Sequence, residues 1–118
     1  MPSFKLLVGE KLIVNDPHVS WRKGGLSAVN GQLKLTDRRI VFIRDAHPFA
    51  IFFLYLIPSM RSAMELEYDL KKIKKVSVVE YGKEKRLTID PGNERPKEFE
   101  TMKAMTFESE INKLILNS

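Results

Sequence analysis

The residues best suited to acid–base chemistry in this 118-residue chain are its two histidines. Each lies two positions after an aspartate, in Asp16-Pro17-His18 and Asp45-Ala46-His47. Such pairs are common by chance, and the two histidines lack the paired spacing of a metal site. The chain also has no cysteine and no glycine-rich phosphate loop, which excludes thiolate chemistry and the usual nucleotide cradles. We therefore expect a protein that is not an enzyme, with no catalytic residues, no metal and no cofactor.

Basic residues offer a second kind of chemistry, the electrostatic binding of an anion. Four lysines fall within residues 71–75, and a further basic pair follows Trp21. The whole chain is basic, with 20 Lys and Arg against 15 Asp and Glu and a net charge of +5. This balance suits lipid head groups or nucleic acid, although a solvated surface guarded by lysines fits the same residues. The predicted lipid- or anion-binding residues are Arg22, Lys23, Lys71, Lys72, Lys74 and Lys75.

The most apolar stretch, residues 49–57, lies between two prolines inside a segment that covers residues 46–60. It is too short to cross a bilayer, which takes about 20 residues. Fully exposed, it would form the kind of large apolar patch that soluble monomers avoid. We expect it to pack on its own domain, to self-associate, to enter a membrane interface or to hold a partner segment. The predicted membrane or partner contacts are Phe49, Ile51, Phe52, Phe53, Leu54, Tyr55, Leu56 and Ile57.

The elements that position these residues are mostly short strands. Alternation of apolar and polar residues predicts about seven antiparallel strands, the first over residues 10–23. In residues 32–36, Leu33 and Leu35 face the core. Asn30-Gly31 carries a strong hairpin-turn signal, because both residues tolerate positive φ, and Asp37-Arg38 predicts a second tight turn. The segment 46–60 then separates the third and fourth strands.

The end of the chain changes from strand to helix periodicity. Its apolar positions recur at i, i+4, i+7 and i+8, which places them on one face of a helix. Thr106 is the predicted N-cap, so we expect a helix over about residues 106–117. Such a helix can cover the open end of a small, bent sheet. We expect residues 1–118 to form a single domain, mainly β (α+β).

Residues 31–42 resemble the hallmark hairpin of GRAM domains, a branch of the pleckstrin-homology (PH) superfold. The resemblance rests on Gly31, Leu35-Thr36, a polar turn with Arg38 and an apolar strand that ends at Phe42. Gly9-Glu10 and residues 68–76 are similar to the family's opening and to its entry into the fifth strand. The resemblance implies a PH-like, seven-stranded antiparallel, partly open barrel or sandwich capped by one C-terminal helix. It implies binding of membrane lipids or proteins rather than catalysis.

These observations predict a cytoplasmic binding domain that associates peripherally with anionic membrane lipid head groups. Many PH domains that bind inositides carry a basic-x-Arg element in the second strand, which Lys34-Leu35-Thr36 lacks. The alternative is a protein–protein interaction or self-assembly module, a homo-oligomer among its forms, that uses residues 49–57. Nucleic acid is disfavoured, because the aromatic residues cluster in that segment with almost no basic residue among them.

Overall fold

An antiparallel sheet that turns around one apolar core forms most of the molecule. The structure is a computed structural model, and it describes residues 4–24, 27–45 and 63–116. Within these ranges there are seven strands and one α-helix, α1, which spans Ala104–Leu116. The strands are β1 (Leu12–Gly24), β2 (Ser27–Thr36), β3 (Arg39–Arg44), β4 (Ala63–Asp69), β5 (Lys75–Tyr81), β6 (Glu84–Asp90) and β7 (Lys97–Glu100).

Strand β1 joins the two halves of the sheet, whose spatial order is β4-β3-β2-β1-β7-β6-β5. It pairs with β2 along its length and with β7 through Ser20–Arg22. Its register shifts between Asp16 and Val19, on either side of Pro17, which has no N–H to donate to the ladder. Because β4 and β5 are the outer strands of this sheet, it is not closed. The predicted seven-stranded, partly open antiparallel fold with a C-terminal helix is confirmed.

The core contains residues from both halves of the sheet and from the helix. Phe42 of β3 lies with its ring centroid 5.6 Å from that of Phe99 of β7 and 6.0 Å from that of Trp21 of β1. These contacts hold the two halves of the sheet together, and such aromatic pairs stabilise a fold beyond the area they bury. Leu33 and Leu35, which alternation predicts to face inward, are confirmed as fully buried, and the core also contains the fully buried Leu87, Ile89, Phe107 and Ile111.

The start of helix α1 differs from the prediction. It begins at Ala104, so Thr106 lies inside the helix and does not cap it. Thr101 lies in the turn that leads into the helix, and its Oγ1 accepts the backbone N–H of Lys103 at 3.1 Å. The same hydroxyl donates to the buried carboxylate of Asp16 on β1. This tertiary contact joins residues that are far apart in the sequence, and it fixes where the chain leaves β7. Local periodicity therefore could not predict the start of the helix.

The predicted hairpin turn at Asn30-Gly31 is wrong, because β2 passes through both residues without interruption. Gly31 does not have a positive φ. A Cβ added at Gly31 would lie 2.1 Å from the carbonyl oxygen of Ile43 and 2.9 Å from the ring of Phe42. Glycine is therefore needed here for the close approach of β3 and not for a turn. The turn predicted at Asp37-Arg38 does connect β2 to β3.

The predicted apolar segment, residues 46–60, lies outside the described residues. The eight contact residues predicted within it therefore stay predictions. The same holds for its predicted role in membrane contact, partner contact or self-association. Among the described helices, none has both the length and the apolar character needed to cross a bilayer.

Candidate functional site

The four predicted lysines lie on a segment that is anchored to the core at every third residue. Leu70, Ile73 and Val76 are buried at 6%, 6% and 8% exposure, whereas the side chains between them are exposed. The alternation follows from a short 3-10 helix, Leu70–Lys72, that leads directly into β5. We call the exposed side chains the lysine strip; they are Lys71, Lys72, Lys74 and Lys75.

Backbone hydrogen bonds fix the conformation of the lysine strip. Asp69 accepts the N–H of Lys71 on its Oδ1 at 2.9 Å, which caps the 3-10 helix. The N–H of Ile73 donates to the carbonyl of Leu70 at 3.3 Å, and that of Lys74 donates to the carbonyl of Asp90 at 2.8 Å. The backbone under the four charges is therefore held on the domain before any ligand arrives, which lowers the entropic cost of binding.

The charges of the lysine strip are not neutralised by ion pairs within the described part of the chain. None of the four ammonium groups lies within 4.0 Å of a carboxylate oxygen there. Lys72 lines a depression together with Glu67, Asp69 and Glu94. Each of these acids has another partner, since Asp69 caps the 3-10 helix, Glu67 pairs with Arg39 and Glu94 accepts from Tyr68. The strip thus presents four cations that an external anion can approach.

A second basic cluster surrounds a depression of about 450 Å³ between the ends of β1 and β7. Lys23 lies there with its Nζ 5.1 Å from the centre of the Trp21 ring, a cation–π contact. Arg95 is exposed on the opposite side, and Lys97 lies 3.5 Å from Glu94 in an ion pair. Sequence reasoning missed Arg95 and Lys97, because only the pairing of β1 with β7 brings them to Lys23.

Arg22 lies on the other face of β1 and is not brought to the lysine strip. Its guanidinium makes an ion pair with Glu100 of β7, and its NH2 lies 3.8 Å from Glu84 of β6. The hydrogen bonds to Glu100 raise the pKa of Arg22 above its usual value. Both residues of the predicted pair line the depression, but the charge of Arg22 is already engaged by carboxylates, whereas Lys23 makes no ion pair within the described part of the chain.

The connection between β6 and β7, residues 91–96, separates the lysine strip from the second basic cluster. The hydroxyl of Tyr68 donates to Glu94 at 2.7 Å, and burial together with this bond raises the pKa of Tyr68 well above its usual range. Gly92 has φ +86°, and a Cβ there would lie 3.6 Å from Cβ of Lys74. The connection is thus held against both β4 and the lysine strip.

A buried ion pair, which sequence reasoning did not predict, holds the N-terminal residues on the sheet. Arg39 donates from Nε to Glu10 at 2.8 Å and from NH2 to the other carboxylate oxygen at 3.0 Å. Thr36 also donates to Glu10, at 2.6 Å, and Arg39 NH1 reaches the half-exposed Glu67 at 3.0 Å. The hydrogen bonds from Arg39 are the main reason that the pKa of Glu10 is lowered to about 2.

The described side chains give no sign of catalytic or metal chemistry. His18 is placed by its backbone N–H, which donates to Asp16 at 3.0 Å, and Asp16 in turn is held by Thr101. Across residues 4–24, 27–45 and 63–116, no three His, Asp or Glu side chains are grouped in a way that could hold a metal ion. What the described residues do present is positive charge on a backbone that is fixed to a folded core.

Comparison with known proteins gives a fold. No family profile and no curated protein matches this sequence. Among solved structures, the linker-DH/PH domains of p115-RhoGEF superpose with a TM-score of 0.62 at 12% identity, over 95% of this chain and 31% of that one. The DH/PH domains of PDZ-RhoGEF, in a complex with GTP-gamma-S activated RhoA, give 0.60 at 12%, over 94% and 31%. The C-terminal domain of an unknown protein from Leishmania infantum gives 0.64 at 14%, over 92% and 87%.

The fold is PH-like. At these identities the likeness shows the fold alone, and this chain spans about a third of the length of the RhoGEF chains that it matches. The seven antiparallel strands, the open sheet and the C-terminal helix are those that the hairpin resemblance implied. On this fold, the exposed basic surfaces are where binding of an anion is electrostatically favoured.

Proposed function

We propose that this PH-like domain is a non-catalytic binding domain that attaches to anionic membrane lipid head groups through the lysine strip, with Lys23 and Arg95 as a second contact. One observation carries the proposal: four lysines are exposed on a backbone that is fixed to the core, and they make no ion pair with any residue that the structure describes. A soluble surface normally intersperses charges of both signs, so such a strip favours an anionic partner. We also propose, from the resemblance of the β2–β3 hairpin, that this domain is of the GRAM type.

The strength of this attachment follows from the number of charges. Each lysine near an anionic surface contributes about 1 kcal/mol, so the strip contributes on the order of 4 kcal/mol, which corresponds to millimolar affinity by itself. The binding is therefore reversible and depends on the anionic surface as a whole. The chain lacks a basic-x-Arg element in β2, which supports the same view. The one basic residue at that place, Lys34, donates to Asn15 at 2.8 Å. We propose recognition of charge density and not of one inositide stereoisomer.

The test is sedimentation of the full chain with vesicles of phosphatidylcholine that contain phosphatidylserine. The variant Lys72→Gln/Lys74→Gln removes two charges of the strip, and we expect about thirtyfold weaker binding. Its matched control is Lys83→Gln/Lys85→Gln, two exposed lysines of identical spacing in the β5–β6 turn and at the start of β6, about 20 Å away along the β5–β6 hairpin. We expect the control to bind nearly as the parent does, and raised salt to weaken both proteins.

Equal loss in the two variants would show that only net charge matters and would remove the lysine strip as a site. Equal sedimentation of the parent chain with and without vesicles would reject membrane attachment altogether.

A protein partner is the second candidate function. PH-like chains similar to this one occur in solved complexes with RhoA, so the fold is compatible with protein binding. For this chain the proposed contact is the apolar segment 49–57, either with a partner or with a second copy of the chain. The two candidates differ in what they need: the first needs positive charge and anionic lipid, and the second needs neither.

A further inference from the structure

A short turn before β1 exposes three consecutive apolar side chains. Leu6, Leu7 and Val8 are 48%, 53% and 97% exposed. We call these three residues the apolar turn. Single exposed apolar residues are ordinary on protein surfaces, but a run of three at the tip of a turn costs hydration free energy unless something covers it.

The apolar turn is held in place by the molecule. The N–H of Glu10 donates to the carbonyl of Leu7 at 3.0 Å, and the side chain of Glu10 accepts the N–H of Leu7 at 2.8 Å. Gly9 supplies the positive φ of +79° that closes the turn. Arg39, which makes the buried ion pair with Glu10, also donates to the carbonyl of Lys5 at 2.7 Å. Because its backbone is tied to the sheet on both sides, the turn presents its apolar side chains in a fixed position.

The apolar turn is continuous with the lysine strip. Lys11 and Asp37 exchange two hydrogen bonds of 3.0 Å each, which brings the apolar turn beside the β2–β3 turn. The carbonyl of Arg38 then accepts the N–H of Leu70 at 3.0 Å, and Arg38 and Lys71 line the same cavity of about 240 Å³ beside the end of α1. The surface therefore runs from the apolar turn, across Arg38, to the first residue of the lysine strip.

The charges around the apolar turn have a small positive excess. Lys5, Lys11 and Arg38 are exposed and, within the described ranges, make no ion pair. Four acids lie nearby and each has a local role. Two carboxylates, Asp37 and Asp69, accept the backbone N–H of Lys11 and of Lys71, and two more, Glu10 and Glu67, pair with Arg39. Counting Arg39 and Lys71 with the cations, the rim has five positive and four negative groups, a net charge of about +1.

We propose that the apolar turn inserts into the interface of an anionic bilayer while Lys5, Lys11, Arg38 and Lys71 contact the lipid head groups. This inference rests on the proposed function and adds the depth and orientation of the attachment. An apolar tip with cations around it matches the surface of such a bilayer. The apolar side chains reach the acyl chains, and the cations lie at the level of the anionic head groups. The domain would lie with the β2–β3 turn and the lysine strip towards the membrane.

The test compares two double variants of the full chain in the same vesicle sedimentation, with phosphatidylserine in phosphatidylcholine. Leu7→Ser/Val8→Ser removes the apolar contact without changing any charge, and we expect about thirtyfold weaker binding with an unchanged salt dependence. The control is Met102→Ser/Met105→Ser, which removes two exposed apolar side chains, 100% and 55% exposed, at the other end of α1. We expect the control to bind as the parent does.

The outcomes separate this inference from the function on which it rests. If the parent chain binds and both double variants bind equally well, the inference is overturned while membrane attachment through the lysine strip stands. If the parent chain does not bind, the proposed function fails. Light scattering without lipid adds a third outcome: a parent dimer that becomes a monomer in Leu7→Ser/Val8→Ser would show that a second copy covers the turn, and this too would overturn the inference.

Discussion

The buried carboxylate of Glu10 gives the sharpest quantitative prediction for the fold, because its side chain is fully buried and its partners are known. Its pKa is about 2 in the folded protein and 4.5 for an ordinary glutamate, a difference worth about 3 kcal/mol of folding free energy at neutral pH. The variant Glu10→Gln removes the negative charge and leaves Arg39 paired with Glu67 alone. We therefore expect Glu10→Gln to lower the free energy of unfolding by about 3 kcal/mol at pH 7.

The pH dependence of stability provides a second, independent test of the role of Glu10. Between pH 4.5 and pH 2 the unfolded chain binds a proton at Glu10 that the folded chain does not, so the stability of the parent falls as the pH is lowered through this window. Glu10→Gln has no such group. The gap in stability between the two proteins should therefore be widest above pH 5 and should shrink towards zero near pH 2.

Urea unfolding followed by the fluorescence of Trp21, the one tryptophan of the chain, measures both quantities. The matched control is Glu67→Gln, which removes the other partner of Arg39, a carboxylate that is 45% exposed. We expect it to cost less than about 1 kcal/mol, as exposed ion pairs do. A gap below 1 kcal/mol for Glu10→Gln at pH 7, or a gap that stays constant with pH, would refute the reasoning.

Two further predictions concern packing and self-association. Gly31→Ala should lower the free energy of unfolding by about 2 kcal/mol or more, because its Cβ would lie 2.1 Å from a carbonyl oxygen of β3; unchanged urea midpoints would contradict this. If residues 49–57 drive self-association, light scattering at high concentration should show a dimer or larger species that becomes a monomer in Phe52→Glu/Phe53→Glu. A parent chain that is monomeric at high concentration would exclude this role.

The strands could be predicted from sequence because their signals are local. Alternation placed Leu33 and Leu35 on the inward face of β2, and the continuous apolar run of β3 is buried as expected of a strand covered on both faces. Local reasoning failed at Gly31. The glycine does mark a backbone constraint, but the constraint is the close approach of β3 and not a turn. A glycine that avoids a clash and a glycine that makes a turn look alike in one sequence, and only the approach of β3 distinguishes them.

The candidate site was predictable only where its residues are adjacent in sequence. The lysine strip is one such case, because the spacing of Leu70, Ile73 and Val76 already separates buried from exposed positions. The cluster of Lys23 with Arg95 depends on the pairing of two distant strands, and a single sequence carries no signal for it. Arg22 shows the opposite error, because the sequence predicts an anion-binding residue there, whereas its charge is engaged by carboxylates from β6 and β7.

Residue-resolved NMR of the full chain, titrated with lipid nanodiscs, tests membrane attachment most directly. With nanodiscs of phosphatidylcholine that contain phosphatidylserine, we expect the amide signals of residues 5–11, 38 and 70–75 to shift or broaden, and those of Lys23 and Arg95 at the second contact as well. With pure phosphatidylcholine we expect little change, because the four lysines then meet no anionic surface. Equal changes with both lipids, changes confined to the exposed face of β5 around Val79 and Tyr81, or none at all would contradict the account.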